Sequence, residues 1–209
     1  MWETVLHAFL TLFVVVDPFG QIATFVALTR GHTAAEQKRQ ALRAVVIAAI
    51  VLFAFAFLGD VMLRALGISL PALRISGGAL LFLLAIDMIF ALVTGIRTTT
   101  SQELAEAETR RDISVFPLAI PLIAGPGAFA SIALIVGRQE GDPLRIAAML
   151  AVLAVVLAMT LGCLFLAGRI LTWIGRTGAN VISRVLGILL AALAVQFILD
   201  GLRASELFK

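Results

Sequence analysis

The stretch "VVVDPFGQIATFV" occupies residues 14–26. Apolar sequence flanks it, yet its centre holds an acid, a proline and a glycine: Asp17, Pro18 and Gly20. A helix crossing lipid must satisfy its own backbone, and proline removes one N–H and clashes with the carbonyl four residues back. The stretch therefore reads as a helix broken inside a membrane. Asp17 serves as N-cap and Pro18 as first residue of a half-helix that runs to Leu28. Such a break must face protein or a water-filled cavity, because lipid offers no hydrogen bonds.

The composition agrees with a membrane setting. Of 209 residues, 61% are hydrophobic and 14% charged, with a mean hydropathy of +1.08. Soluble domains run at about half apolar and about a quarter charged. A span needs about 20 mostly apolar residues, and six segments qualify: residues 5–28, 41–62, 75–96, 113–137, 146–168 and 179–199. The chain is expected to be an all-α membrane protein of one domain, 1–209, with no separate soluble unit. "MWETVLHAFL" at the N-terminus lacks a basic leader and a small-residue cleavage site, so it reads as retained.

The formal charge of +3 does not signal nucleic acid, because the basic residues sit at span ends. Placed on alternate sides of six spans, ten of the 16 Lys and Arg fall on one side, led by Arg30, Lys38, Arg39 and Arg43. That side should be cytoplasmic, which puts both termini in the periplasm of a bacterial inner membrane. Cys163 is the only cysteine and reads as a small apolar residue of span five. His7 and His32 are isolated. There is no HExxH, Ser-His-Asp set or phosphate loop, so neither an enzyme nor a cofactor or metal site is expected.

The halves of the chain resemble each other. "DPFGQIATFVALTR" (17–30) lies over "GPGAFASIALIVGR" (125–138), placing Pro18 on Pro126 and Arg30 on Arg138. "RISGGALLFLLAID" (74–87) lies over "RVLGILLAALAVQF" (184–197), placing Gly77 on Gly187. The repeats are residues 1–96 and 113–209, joined by a polar cytoplasmic linker, 97–112. Three spans per half invert one half relative to the other, a recurring build of transporters that bind at the midplane. Spans one and four should both break there and approach each other.

The two breaks differ in chemistry. The first carries its own carboxylate, whereas the second has Gly125 at the cap position. The N–H groups of Gly127, Ala128 and Phe129 are then expected to lack a cap and to form an anion site. A small zwitterion suits the pair, with its carboxylate around Gly125, Pro126, Gly127 and Ala128. Its ammonium would approach Asp17 or carbonyls freed at either break, those around Pro18 and Gly20 among them. Thr24 and Ser131, one turn into their half-helices, either offer hydroxyls to the ligand or satisfy them within their own helices. Asp17 is either a cap alone or a cap that also moves a proton. Asp87 and Gln196 lie within spans three and six. Each stands as a pathway or coupling candidate, with pairing to an arginine the alternative for Asp87.

"VVDPFGQIATFVALT", "LGISLPALRISGGALLF", "ISVFPLAIPLIAGPGAFAS" and "ISRVLGILLAALAVQFILDG" resemble the MarC family, also called UPF0056, over nearly the whole chain. That family was named for a multiple-antibiotic-resistance locus, which does not establish drug efflux. It is grouped with the LysE superfamily of exporters and includes SnatA-type transporters of glycine and alanine. The resemblance implies transport of small neutral amino acids. Where members often read DP-x-G-N-x-P, this chain has Gln21 for the Asn and Ala23 for the second proline, which leaves another substrate open. Thiol-electron carriers of similar build need a cysteine near each break, and this chain has none there. The alternatives are export of another small metabolite or ion, or a non-transporting scaffold. Direction, coupling ion (a proton through Asp17 being one candidate) and homo-oligomer formation are left open.

Overall fold

The computed structural model describes residues 2–90, 112–137 and 142–205. The linker 97–111 and the last residues of span three, 91–96, lie outside the described residues. Among the described residues eight helical elements follow one another: α1 (Trp2–Val16), α2 (Pro18–Leu28), α3 (Ala34–Ala65), α4 (Leu70–Phe90), α5 (Ser114–Ile123), α6 (Pro126–Gly137), α7 (Pro143–Phe165) and α8 (Ala167–Ala204). No strand occurs among the described residues. Five stretches are long and apolar enough to cross a membrane: Trp2–Leu28, Ala34–Gly59, Leu70–Phe90, Pro143–Phe165 and Thr177–Ala204. A sixth arises if α5 and α6, bent by 54°, form one span.

Local chemistry sets the helix starts. Thr33 and Glu36 form a reciprocal capping box, so α3 begins at Ala34, earlier than hydropathy alone places it. The Asp142 carboxylate caps α7 with Pro143 at its first turn. The elbow between α7 and α8 is followed by Gly175, whose φ of 69° interrupts α8. That conformation suits glycine because it has no Cβ. Trp173, just before it, is 91% exposed.

Helices α4 and α8 make the most extensive packing in the molecule, and small residues permit it. A Cβ on Gly78 would lie 2.7 Å from the Ala194 carbonyl, and one on Gly187 would lie 2.8 Å from Met88 Cβ. A Cβ on Gly201 would meet the Pro71 carbonyl at 3.0 Å. The contacts run in opposite order along the two helices, so they are antiparallel. Three further packings come in matched pairs, whereas the packing of α1 on α6 and on α8 has no counterpart of similar extent. α2 packs on α8 as α6 packs on α4; α1 packs on α7 as α5 packs on α3; α2 packs on α7 as α6 packs on α3.

Candidate functional site at the two helix breaks

The first break is one residue wide. Asp17 takes the left-handed conformation (φ 46°, ψ 71°), ending α1 and starting α2. Its N–H still donates to Phe13 O at 2.9 Å. Its carboxylate is fully buried. Oδ1 accepts from the Gly20 N–H at 3.0 Å, the cap expected from the sequence. Oδ2 accepts from the Ser183 hydroxyl of α8 at 3.1 Å. Gly20 has a steric reason to be glycine: a Cβ there would lie 2.0 Å from Asp17 Oδ2 and 2.7 Å from Ser183 Oγ. Sequence reasoning missed Ser183, which lies 166 residues from its partner and carries no local signal.

The second break is longer and differs from the expectation. Instead of a regular half-helix before Gly125, α5 is irregular. Phe116 and Ile120 take extended angles inside it, and the peptide bonds to Pro117 and Pro121 are cis. The backbone bonds that remain skip five residues, Leu118 N–H to Ile113 O at 3.2 Å and Ala124 N–H to Ala119 O at 2.8 Å. The two prolines carried the missed signal, since each disfavours helical angles in the residue before it. A Cβ on Gly125 would lie 2.6 Å from the Pro121 carbonyl, so the chain doubles back closely here.

One expectation about α6 needs correction. Ala128 and Phe129 do not wait for a ligand, because both donate to the Gly125 carbonyl, at 3.0 and 3.2 Å. Only the Gly127 N–H has no acceptor among the described residues. Gly125, Pro126, Gly127 and Ala128 wall a cavity of about 20 Å³ together with Val15, Leu84 and Pro121–Ile123. That volume holds roughly one water.

Gln21 joins the two breaks. Its side-chain Nε2 donates to Val16 O, at the end of α1, at 2.6 Å. It also lies 3.4 Å from Leu122 O, in α5. The residue is 2% exposed, and Oε1 has no partner among the described residues. The first half-helix thus satisfies carbonyls freed at both interruptions, an arrangement that buried backbone groups require.

The other candidates are spread out. Thr24 is half-buried on α2. Ser131 is fully buried on α6, and its hydroxyl has no hydrogen-bond partner among the described residues. Thr11 of α1, not singled out from the sequence, is in the same condition. Asp87 is 6% exposed on α4, one turn from the cavity residue Leu84. Gln196 faces outward on α8 and donates to Asp200 at 2.8 Å, apart from the buried breaks. No cluster of metal-ligating residues occurs among the described residues.

Away from the breaks, Glu36, Arg39, Gln40, Arg43 and Asp112 line an open polar cavity of about 310 Å³. Asp112 accepts from the Ser114 hydroxyl and N–H and pairs with Arg43. The Ser114 donors first, then Arg43 and Arg39, hold its carboxyl below the ordinary aspartate value.

An all-helical chain with several membrane-length helices, two interrupted spans and a buried carboxylate at one interruption is a polytopic integral membrane protein. Residues 2–205 match the model of the MarC family integral membrane proteins, and the chain belongs to that family. It is 34% identical to the UPF0056 membrane protein YvbG of Bacillus subtilis, over 97% of this chain and 96% of that one. It is 35% identical to the UPF0056 membrane protein YhcE of Escherichia coli, over 93% of this chain and 90% of that one. The UPF0056 membrane protein MJ1677 of Methanocaldococcus jannaschii is 34% identical, over 96% of each chain. No solved structure matches.

Proposed function

We propose that the protein is a secondary transporter of small neutral amino acids, of glycine or alanine size, built from two inverted three-helix repeats. The observation that carries this reading is the meeting of two broken spans at one small cavity, joined through Gln21. The matched packing of the halves supports the repeat. The start of α6 offers the Gly127 N–H and a helix dipole to a carboxylate, and its glycines and alanine admit only a small ligand. The cavity as it stands is smaller than an amino acid, so binding accompanies opening. A scaffold has no use for two facing interruptions, whereas an alternating-access carrier needs them.

In this reading the protein resides in the bacterial inner membrane with both termini periplasmic, uses no cofactor and catalyses no reaction. Transport runs outward, with proton coupling as its finer part. Purified protein in liposomes, challenged with a panel of radiolabelled amino acids, tests the reading. Glycine or alanine should cross faster than in protein-free liposomes, and an imposed pH gradient should change the rate. Background flux for every small neutral amino acid would refute it.

A further inference from the structure

Gln21 has more hydrogen-bonding capacity than the protein uses. Nε2 donates to Val16 O and Leu122 O, while Oε1 is buried and accepts from nothing among the described residues. A buried amide oxygen ordinarily has a donor. The two carbonyls lie within 3.4 Å of one nitrogen, and Oε1 is bonded to the same carbon as that nitrogen. Three acceptor oxygens are therefore gathered at one point. Leu122 is one of the residues that line the cavity, and Val16 follows another, Val15.

A primary ammonium carries three N–H donors, one for each of these oxygens. The amide NH₂ now on the two carbonyls occupies them as an ammonium would, with one donor fewer. We propose that Gln21 marks the ammonium subsite of the carrier. The substrate's NH₃⁺ displaces the amide N–H from the Val16 and Leu122 carbonyls. Gln21, turned about its terminal torsion, then accepts the third N–H through Oε1. Asp17, one helical turn earlier, stays outside this subsite, because Gly20 and Ser183 already donate to its two oxygens. The Gly127 N–H across the cavity is left for the substrate carboxylate. This subsite rests on the amino-acid carrier reading and adds to it a selectivity for primary over N-methylated amines.

Alanine and N-methylglycine are isomers of equal bulk that carry three and two ammonium N–H groups. In liposomes holding the wild-type protein, unlabelled competitors are titrated against labelled glycine or alanine, whichever is carried. Alanine and glycine should compete within a few-fold of each other. N-methylglycine and N,N-dimethylglycine should weaken about tenfold for each N–H removed. N-methylglycine competing as well as its isomer alanine would overturn the subsite.

Gln21→Met keeps the length of the side chain and removes its donors and acceptor. It should weaken glycine about tenfold or more and flatten the N-methyl ranking. Wild-type ranking in that variant would also overturn the proposal, and if the variant does not fold, the wild-type series decides alone. A wild-type protein that carries no amino acid defeats the carrier reading and this subsite together. One that carries glycine without regard to N-methylation defeats the subsite only.

Discussion

The two interruptions perform one task by different means. At the first, a single left-handed residue turns the chain, and its own carboxylate bonds both the new half-helix and α8. At the second, ten residues of irregular, proline-bearing chain precede the turn, and a backbone carbonyl, Gly125 O, takes the Ala128 and Phe129 N–H groups of α6. The first is held by a buried carboxyl side chain with partners on α2 and α8. The second is held by its own backbone and by the Gln21 amide at Leu122 O, and its bend walls a cavity. A turn tied by its side chain to two elements has less freedom than one closed mainly by its own backbone, so the second is the side on which a ligand is expected to act.

The sharpest test of that contrast exchanges the two glycines. Gly20→Ala drives a Cβ into the Asp17 carboxylate, so the cap and the Ser183 bond must both yield. The expected loss is about 3 kcal/mol, seen as a lower melting temperature in detergent. Gly125→Ala meets the Pro121 carbonyl within a segment that is already irregular, and should cost less, about 2 kcal/mol. Equal losses, or the reverse order, would break the comparison.

Replacing Asp17 comes next. Asp17→Ala removes the cap and leaves the Gly20 N–H and the Ser183 hydroxyl without their acceptor, at about 2 kcal/mol. Asp17→Asn keeps an acceptor for Gly20, and should lose less than about 1 kcal/mol and transport with the same pH profile. Asn as damaging to transport as Ala, or a flattened pH profile in a stable protein, would put the charge itself into the transport cycle.

The smallest effect is expected at the Arg43–Asp112 pair, which is half exposed and screened by water. The carboxyl of Asp112 is held below its ordinary value. Its contribution is therefore present in full above the ordinary aspartate range and fades only as pH falls through the lowered value. Between pH 8 and pH 5, melting temperatures of the wild type and of Asp112→Asn should stay parallel. Divergence within that window would show that the pair titrates there.

The parts of this structure written locally were legible. An acid before a proline marked the cap at residue 17, and hydropathy located the five membrane-length stretches and the bent α5–α6 pair, although α3 starts at Ala34, well before the expected residue 41. The irregular backbone of α5 was also written locally, in prolines spaced four apart, but an apolar run reads as helix unless each proline is weighed for its effect on its neighbour. What could not be read were meetings across the chain. Gln21 finds Leu122 across 101 residues, and Ser183 finds Asp17 across 166. Gln196 illustrates the converse. Its polarity inside a span suggested the pathway, but only packing determines which face of α8 is covered, and Gln196 lies on the uncovered one.

The small size of the cavity has an electrical consequence. A cell stores work across its membrane at about 2.3 kcal/mol per elementary charge per 100 mV, and an open aqueous path for ions or protons through a protein would drain it. Between the breaks there is room for about one water, walled mainly by apolar side chains and tight turns of backbone. At this cavity the present conformation leaves no room for a hydrated ion, so the meeting of the breaks adds no ion leak of its own to an energised membrane.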